Sequence, residues 1–305
     1  MTLQLHITSE TAQLKAVVLG TAESNVPIPE IKDCYDPKSI EHLIAGTYPK
    51  ESDMVKELDA FASVLEKYAV VVYRPKVIEG CNQIFSRDMA FVIEDKIIRA
   101  NILPNRIKEV KAIDYVWNQI DKENTIILPE ACHVEGGDVI IWHDYIFVGT
   151  YSGEDYSQYI TARTNMDAVI ALQELFPNKT VKAFELRKSN TDPKENALHL
   201  DCCFQPIGTD KAIIHKEGFL ITHEYEWLVN FFGKDNVFEI TKEEMSAMTC
   251  NVFSISEQVV VSEQHFKRLN TWLRKQGFTV EEVPYAEIGK QGGLLRCTTM
   301  PLVRA

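Results

Sequence analysis

Five stretches of this 305-residue chain repeat one pattern, and that recurrence constrains the fold more than any single motif does. Each has a polar residue, an apolar run, a short polar step and a second apolar run, which is the signature of a hairpin. Arg87-Asp88 precedes residues 89–93, the step Glu94-Asp95 and residues 96–100. Gly137-Asp138 precedes residues 139–142, His143-Asp144 and residues 145–149, and Leu200-Asp201 precedes residues 202–207, Gly208-Thr209-Asp210 and residues 211–215. Cys250-Asn251 leads into residues 252–255, Ser256-Glu257-Gln258 and residues 259–261. Arg296-Cys297 opens the last copy at residues 298–303, whose predicted partner is residues 14–20 from the far end of the chain.

Helical spacing separates the hairpins, most clearly at residues 52–68, where Met54, Val55, Leu58, Phe61, Ala62 and Leu65 share a face. Residues 167–176, 224–232 and 263–276 read the same way, the last two with a glycine just beyond. Each unit is therefore strand, hairpin, helix, strand: an α/β architecture. A closed ring of five units covers its own sheet edges and leaves one central cavity, towards which the shared polar positions converge. No linker rich in Pro, Gly or Ser divides the chain, so residues 1–305 read as a single domain.

A hydrophobic share of 45% and a charged share of 25% fit an ordinary globular protein. The 32 basic against 44 acidic residues give a net charge of −12, which argues against nucleic acid or an anionic membrane as partner. The first ten residues do not resemble a signal peptide and no apolar run is long enough to span a bilayer, so a cytoplasmic location is expected. Oligomeric state is left open. Seven cysteines without CxxC spacing disfavour a disulfide framework or a zinc site, and no cofactor is expected.

Of those cysteines only Cys297 occupies the repeated polar position, the one taken elsewhere by Asp88, Asp138, Asp201 and Asn251. His199 lies two residues before Asp201, placing both on one face if the segment is a strand. Glu135-Gly136-Gly137-Asp138 adds a carboxylate beside two glycines that let the backbone bend closely past a ligand. A cysteine and a histidine supply a thiolate and an acid/base, while spare carboxylates at Asp88, Glu135 and Asp201 suit a planar cation able to donate paired hydrogen bonds. Guanidinium is such a cation.

Phe85-Ser86-Arg87-Asp88, Glu135-Gly136-Gly137-Asp138, His199-Leu200-Asp201 and Gly292-Gly293-Leu294-Leu295-Arg296-Cys297-Thr298-Thr299-Met300-Pro301-Leu302 occur in the order of the signatures of the guanidino-modifying (pentein) superfamily, and the chain resembles that superfamily across nearly its whole length. Arginine deiminases, dimethylarginine hydrolases and amidinotransferases make it up. The resemblance implies a five-bladed α/β propeller around a central active site. It also implies Cys297 as nucleophile, His199 as general acid and base, and Glu135 as partner of His199 or of the guanidinium. By the same resemblance Asp88 and Asp201 form the guanidinium clamp, Asn82, Arg106 and Arg163 match positions at the amino-acid end of the substrate, and Asp138 is expected among the substrate-binding residues.

The ending around Cys297 is most similar to arginine deiminases, and the aspartate of His199-Leu200-Asp201 favours an unsubstituted guanidinium by leaving little room for methyl groups. Lys290-Gln291 stands where those enzymes have an arginine before the two glycines, and the chain is shorter than they are. The expected reaction is attack of Cys297 on the guanidinium carbon of free arginine, followed by hydrolysis to citrulline. Amidino transfer to another amine, modification of arginine within a protein, and arginine binding without turnover are the alternatives.

Overall fold

The computed structural model describes residues 2–24 and 28–305. In chain order its strands are β1 (Leu14–Leu19), β2 (Val71–Tyr73), β3 (Ala90–Ile93), β4 (Lys96–Arg99), β5 (Thr125–Ile127), β6 (Val139–Trp142), β7 (Tyr145–Thr150) and β8 (Thr180–Glu185). There follow β9 (Phe204–Ile207), β10 (Lys211–Ile214), β11 (Val237–Glu239), β12 (Phe253–Ser254), β13 (Val259–Glu263), β14 (Thr279–Val283) and β15 (Thr299–Arg304). They form five three-stranded sheets: β3-β4-β5, β6-β7-β8, β9-β10-β11, β12-β13-β14 and β15-β1-β2. In every sheet the first two strands are antiparallel and the third runs parallel to the middle one.

The hairpins of the sequence pattern are the antiparallel pairs, and β15 pairs with β1 as the pattern requires. Two of the connecting turns, after β3 and β6, place Glu94 and His143 in the left-handed region at φ 56° and 52°, as two-residue hairpin turns demand. The first strands β3, β6 and β9 are buried along their whole length, which is why they read as continuous apolar runs rather than alternating ones. The third strands β2 and β5 are partly exposed.

Helices link second strands to third. Glu51–Lys67 buries Met54, Leu58, Phe61 and Leu65 at three- and four-residue spacing against the sheet containing β1. Met166–Leu175, Thr222–Phe232 and Lys267–Lys275 occupy corresponding places. The last begins four residues later than its periodicity suggested, because β13 continues through Glu263. Ahead of three of the first strands the chain makes a tight 3-10 turn, at Ser86–Met89, Gly136–Asp138 and Leu200–Cys202. These turns carry the recurring polar residues.

Candidate active site

A cavity of about 310 Å³ is walled by Asp88, His199 and Cys297, which lie in or next to the turns that precede β3, β9 and β15, with Asn82, Arg106, Glu109, Arg163 and Gln291 around it. Cys297 sits in the turn before β15 and is almost wholly buried. Its backbone N–H donates to Asn251 Oδ1 at 3.0 Å, and the Leu294 N–H donates to the same oxygen at 3.2 Å. Those two bonds fix the amide orientation, so Asn251 Nδ2 faces the sulfur at 3.2 Å. On the sulfur's other side stand both oxygens of Asp201, at 3.5 and 3.7 Å. Burial, then Asp201, Cys202 and Asp88, pushes the Cys297 thiol well above its ordinary value.

His199 precedes the third turn with its ring on the cavity wall. Its Nε2 lies 2.8 Å from Glu135 Oε2, which also accepts from Arg163 Nη1 at 2.9 Å. The other Glu135 oxygen accepts the Leu103 N–H at 3.2 Å, so this carboxylate is held from both ends. Burial lowers the His199 pKa, but Asp88, Asp138 and Glu135 together outweigh it and leave the imidazole above its ordinary value. Glu135 is held below the usual carboxylate range: burial raises it, and Arg163, His199 and Arg106 pull it down further.

Asp88 Oδ2 accepts from Arg106 Nη1 at 2.6 Å, whereas Asp88 Oδ1 is buried without a hydrogen-bond partner, 3.8 Å from His199 Nδ1. A buried, unpaired carboxylate oxygen on a cavity wall is costly unless a donor arrives to fill it. Among the described residues Asp88, Glu135 and His199 are the one group whose ligand atoms approach within 4.8 Å, close enough for a metal ion. The two carboxylates already meet Arg106 and Arg163, so a divalent cation there would face two guanidinium groups at short range.

The structure places the other expected site residues as follows. Asp201 does not share a face with His199, because residues 200–202 are a 3-10 turn, advancing a third of a revolution per residue rather than alternating. It lies against the Cys297 sulfur instead, at 3.5 and 3.7 Å, and pairs with Arg296 Nη1 at 2.9 Å. Asp138, expected among the substrate-binding residues, accepts from Thr164 Oγ1 at 2.7 Å and from the Leu200 N–H at 2.9 Å, bracing the His199 turn. The arginines line the cavity but their donors are engaged. Arg106 binds Asp88, Glu109 and the Phe85 carbonyl, and Arg163 binds Glu135 and the Ile160 and Tyr35 carbonyls.

Asn82 is at the cavity as expected, donating to Gln291 Oε1 at 2.8 Å, so the Lys290-Gln291 departure is felt directly there. Sequence reasoning did not single out Asn251, Glu109 or Arg296 as site residues. Asn251 occupied the repeated position, Glu109 follows Arg106 at the i,i+3 spacing of a helical ion pair, and Arg296 adjoins Cys297.

A family model for N,N dimethylarginine dimethylhydrolase, eukaryotic, matches residues 49–304. The chain belongs to that family, within the guanidino-modifying superfamily. The uncharacterized protein YkgA of Bacillus subtilis (strain 168) is 30% identical over 223 residues, covering 73% of this chain and 70% of its own. An arginine deiminase of Bacillus cereus (strain ATCC 10987 / NRS 248) is 26% identical, over 93% of this chain and 77% of its own. The substrate-bound N-terminal domain of ArgZ, an arginine dihydrolase from Cyanobacteria, superposes with a TM-score of 0.77 at 15% identity, covering 95% of this chain and 98% of that one. SxtG, an amidinotransferase from Microseira wollei, superposes with a TM-score of 0.73 at 18% identity, covering 98% and 97%. This guanidino-modifying family member thus has the mixed α/β fold of those structures, and among the described residues no helix is long and apolar enough to cross a membrane.

Proposed function

We propose that this family member is a cysteine-dependent hydrolase acting on the guanidinium carbon of arginine or a close analogue, in a five-bladed α/β propeller that is one catalytic domain. The observation that carries the reading is that Asp88, which lines one cavity with Cys297 and His199, keeps a buried Oδ1 without a hydrogen-bond partner. A guanidinium N–H fills that vacancy with a charge-assisted bond. The bound cation also offsets the carboxylates that hold Cys297 protonated, so the thiol ionises when substrate is present, and the Asn251 amide donates to the sulfur as charge develops.

The thiolate then adds to the guanidinium carbon. His199, kept protonated by its three acidic neighbours, gives its proton to the departing nitrogen as the C–N bond breaks. A thiouronium intermediate remains on Cys297. His199, now neutral, takes a proton from water as that water attacks; the C–S bond breaks, and citrulline leaves. Glu135 holds the imidazole in place throughout, at 2.8 Å.

Hydrolysis of N,N-dimethylarginine is a second reading, favoured by the matched family model. Incubation with arginine, with N,N-dimethylarginine and with arginine plus glycine, followed by mass spectrometry, separates the possibilities. Citrulline with ammonia supports deimination and citrulline with dimethylamine supports the second reading. Ornithine with guanidinoacetate would mean amidino transfer, and no product from any mixture would defeat the hydrolase.

A further inference from the structure

Glu109 plays no part in the mechanism above, yet it is buried on the cavity wall beside the substrate-facing carboxylate. It lies in the short helix Ile107–Lys111, just past the turn that carries Arg106. Its two oxygens take Arg106 Nε at 2.9 Å and Nη2 at 2.8 Å, a bidentate pair that fixes the plane of the guanidinium. The remaining terminal nitrogen of Arg106 reaches Asp88 Oδ2 at 2.6 Å. Three charged side chains from two segments thus form a line, Glu109 to Arg106 to Asp88, ending at the unpartnered Asp88 Oδ1.

We propose that Glu109 is a positioning residue for guanidinium binding: through Arg106 it orients Asp88 and cancels the charge of that arginine, so that the free Asp88 oxygen presents an uncompensated negative charge to the incoming cation. This rests on the reading of the cavity as a guanidinium site. The electrostatic need is plain, because Arg106 contacts the very carboxylate that must attract a second cation, and like charges flanking one carboxylate repel. A glutamine at 109 keeps the shape but removes one of three carboxylates around Arg106, leaving its charge to Asp88 at 2.6 Å and Glu135 at 3.7 Å and so drawing more heavily on the carboxylate that must attract substrate. The line also predicts a pH effect. Burial raises the Glu109 carboxyl to about 7 against the pull of Arg106, with Asp88 and Glu135 adding to the rise; Lys108, Tyr35 and Cys81 are the other titratable groups near it. Protonation of Glu109 as pH falls through that region therefore weakens cation binding.

The test measures arginine binding by calorimetry to a Cys297→Ala background, which cannot turn substrate over, alone and combined with Glu109→Gln, Arg106→Lys or Asp88→Asn. Loss of one charge-assisted contact predicts binding weaker by about ten-fold to a hundred-fold for Glu109→Gln. Arg106→Lys keeps the charge but cannot bridge two carboxylates, and is expected to lose affinity similarly with an unchanged melting temperature. In the enzyme with Cys297 intact, Glu109→Gln should raise KM while kcat stays within about three-fold, since the lost interaction is made in ground and transition states alike. Affinity of the background should fall on acidification through neutrality and that of Glu109→Gln should fall less, the shared titration of His199 cancelling in the comparison. If Asp88→Asn abolishes binding while Glu109→Gln and Arg106→Lys bind as tightly as the background, Glu109 has no positioning role although the guanidinium site stands. If arginine and other guanidino compounds fail to bind the background itself, the site reading falls and this proposal with it.

Discussion

At the scale of single residues, the site turns on how one thiol is surrounded. Cys297 has burial, Asp201, Cys202 and Asp88 against ionisation and the Leu294 backbone N–H and the Asn251 amide in its favour; the balance pushes the thiol well above its ordinary value, so the empty site holds a thiol at neutral pH. A raised pKa means that the thiolate appears only as pH rises, and kcat/KM, which reports the free enzyme, is expected to climb from neutrality into the alkaline range. Asp201→Asn removes one of the charges responsible and should move that climb to lower pH, together with the rate of alkylation by iodoacetamide. Cys297→Ser should cost about 10⁴-fold or more in turnover at an unchanged melting temperature. A pH-independent alkylation rate, or a serine variant with normal turnover, would place the nucleophile elsewhere.

At the scale of elements, the tight turns ahead of the first strands decide what reaches the cavity, and two adjacent glycines show how. A Cβ on Gly136 would lie 2.1 Å from the Arg87 backbone oxygen, in the neighbouring turn. A Cβ on Gly137 would instead lie 2.6 Å from Nδ1 of the His199 ring. Backbone cannot yield cheaply, so Gly136→Ala should lower stability by about 1–3 kcal/mol, visible as an earlier urea midpoint. A side chain can yield, so Gly137→Ala should retain most of its stability but push His199 from its bond to Glu135, with kcat falling by about a hundred-fold. Equal effects of the two substitutions on stability and on kcat would show that the turns do not divide the work this way. The helix periods were legible in sequence, as at Met54, Leu58, Phe61 and Leu65, because burial repeats at 3.6 residues whatever the partner. The turns were not, since one polar residue before an apolar run looks the same as a strand start or as a 3-10 turn, and the difference turns Asp201 off the face of His199 and onto Cys297 and Arg296.

At the scale of the molecule, β15 pairs with β1, so both ends of the chain are built into one sheet. Arg296 clamps the region: its guanidinium, fully buried, joins Glu10 at 2.9 Å from near the N-terminus to Asp201 at 2.9 Å and to the Val139 carbonyl at 2.8 Å. The five units should therefore unfold together. Trp117, Trp142, Trp227 and Trp272 lie in four different units, so urea transitions followed by tryptophan fluorescence and by far-ultraviolet circular dichroism are expected to coincide. Arg296→Ala leaves Asp201 buried without its ion-pair partner and Glu10 with the more distant Arg87, 3.9 Å away, and should destabilise the whole by about 3–5 kcal/mol while keeping one transition. Separate transitions for the two probes would mean that the units fold independently.

The repeat, the hairpins, the β1–β15 pairing and the gathering of Cys297, His199 and Asp88 at one cavity follow from the sequence, because hydrophobic periodicity and the position of a polar residue within each unit are local properties that survive without knowledge of packing. Which charges remain available was decided only by the tertiary structure. Arg106 and Arg163 look free in sequence, and only folding brings Glu109, Glu135, Asp88 and the Tyr35 carbonyl within reach of their donors. Asp88 and Asp201 occupy equivalent repeat positions, yet one keeps a buried oxygen without a partner and the other is taken by Arg296. Ion pairing in a buried site depends on distances of a few ångströms between segments far apart in the chain, and no spacing along the chain encodes them.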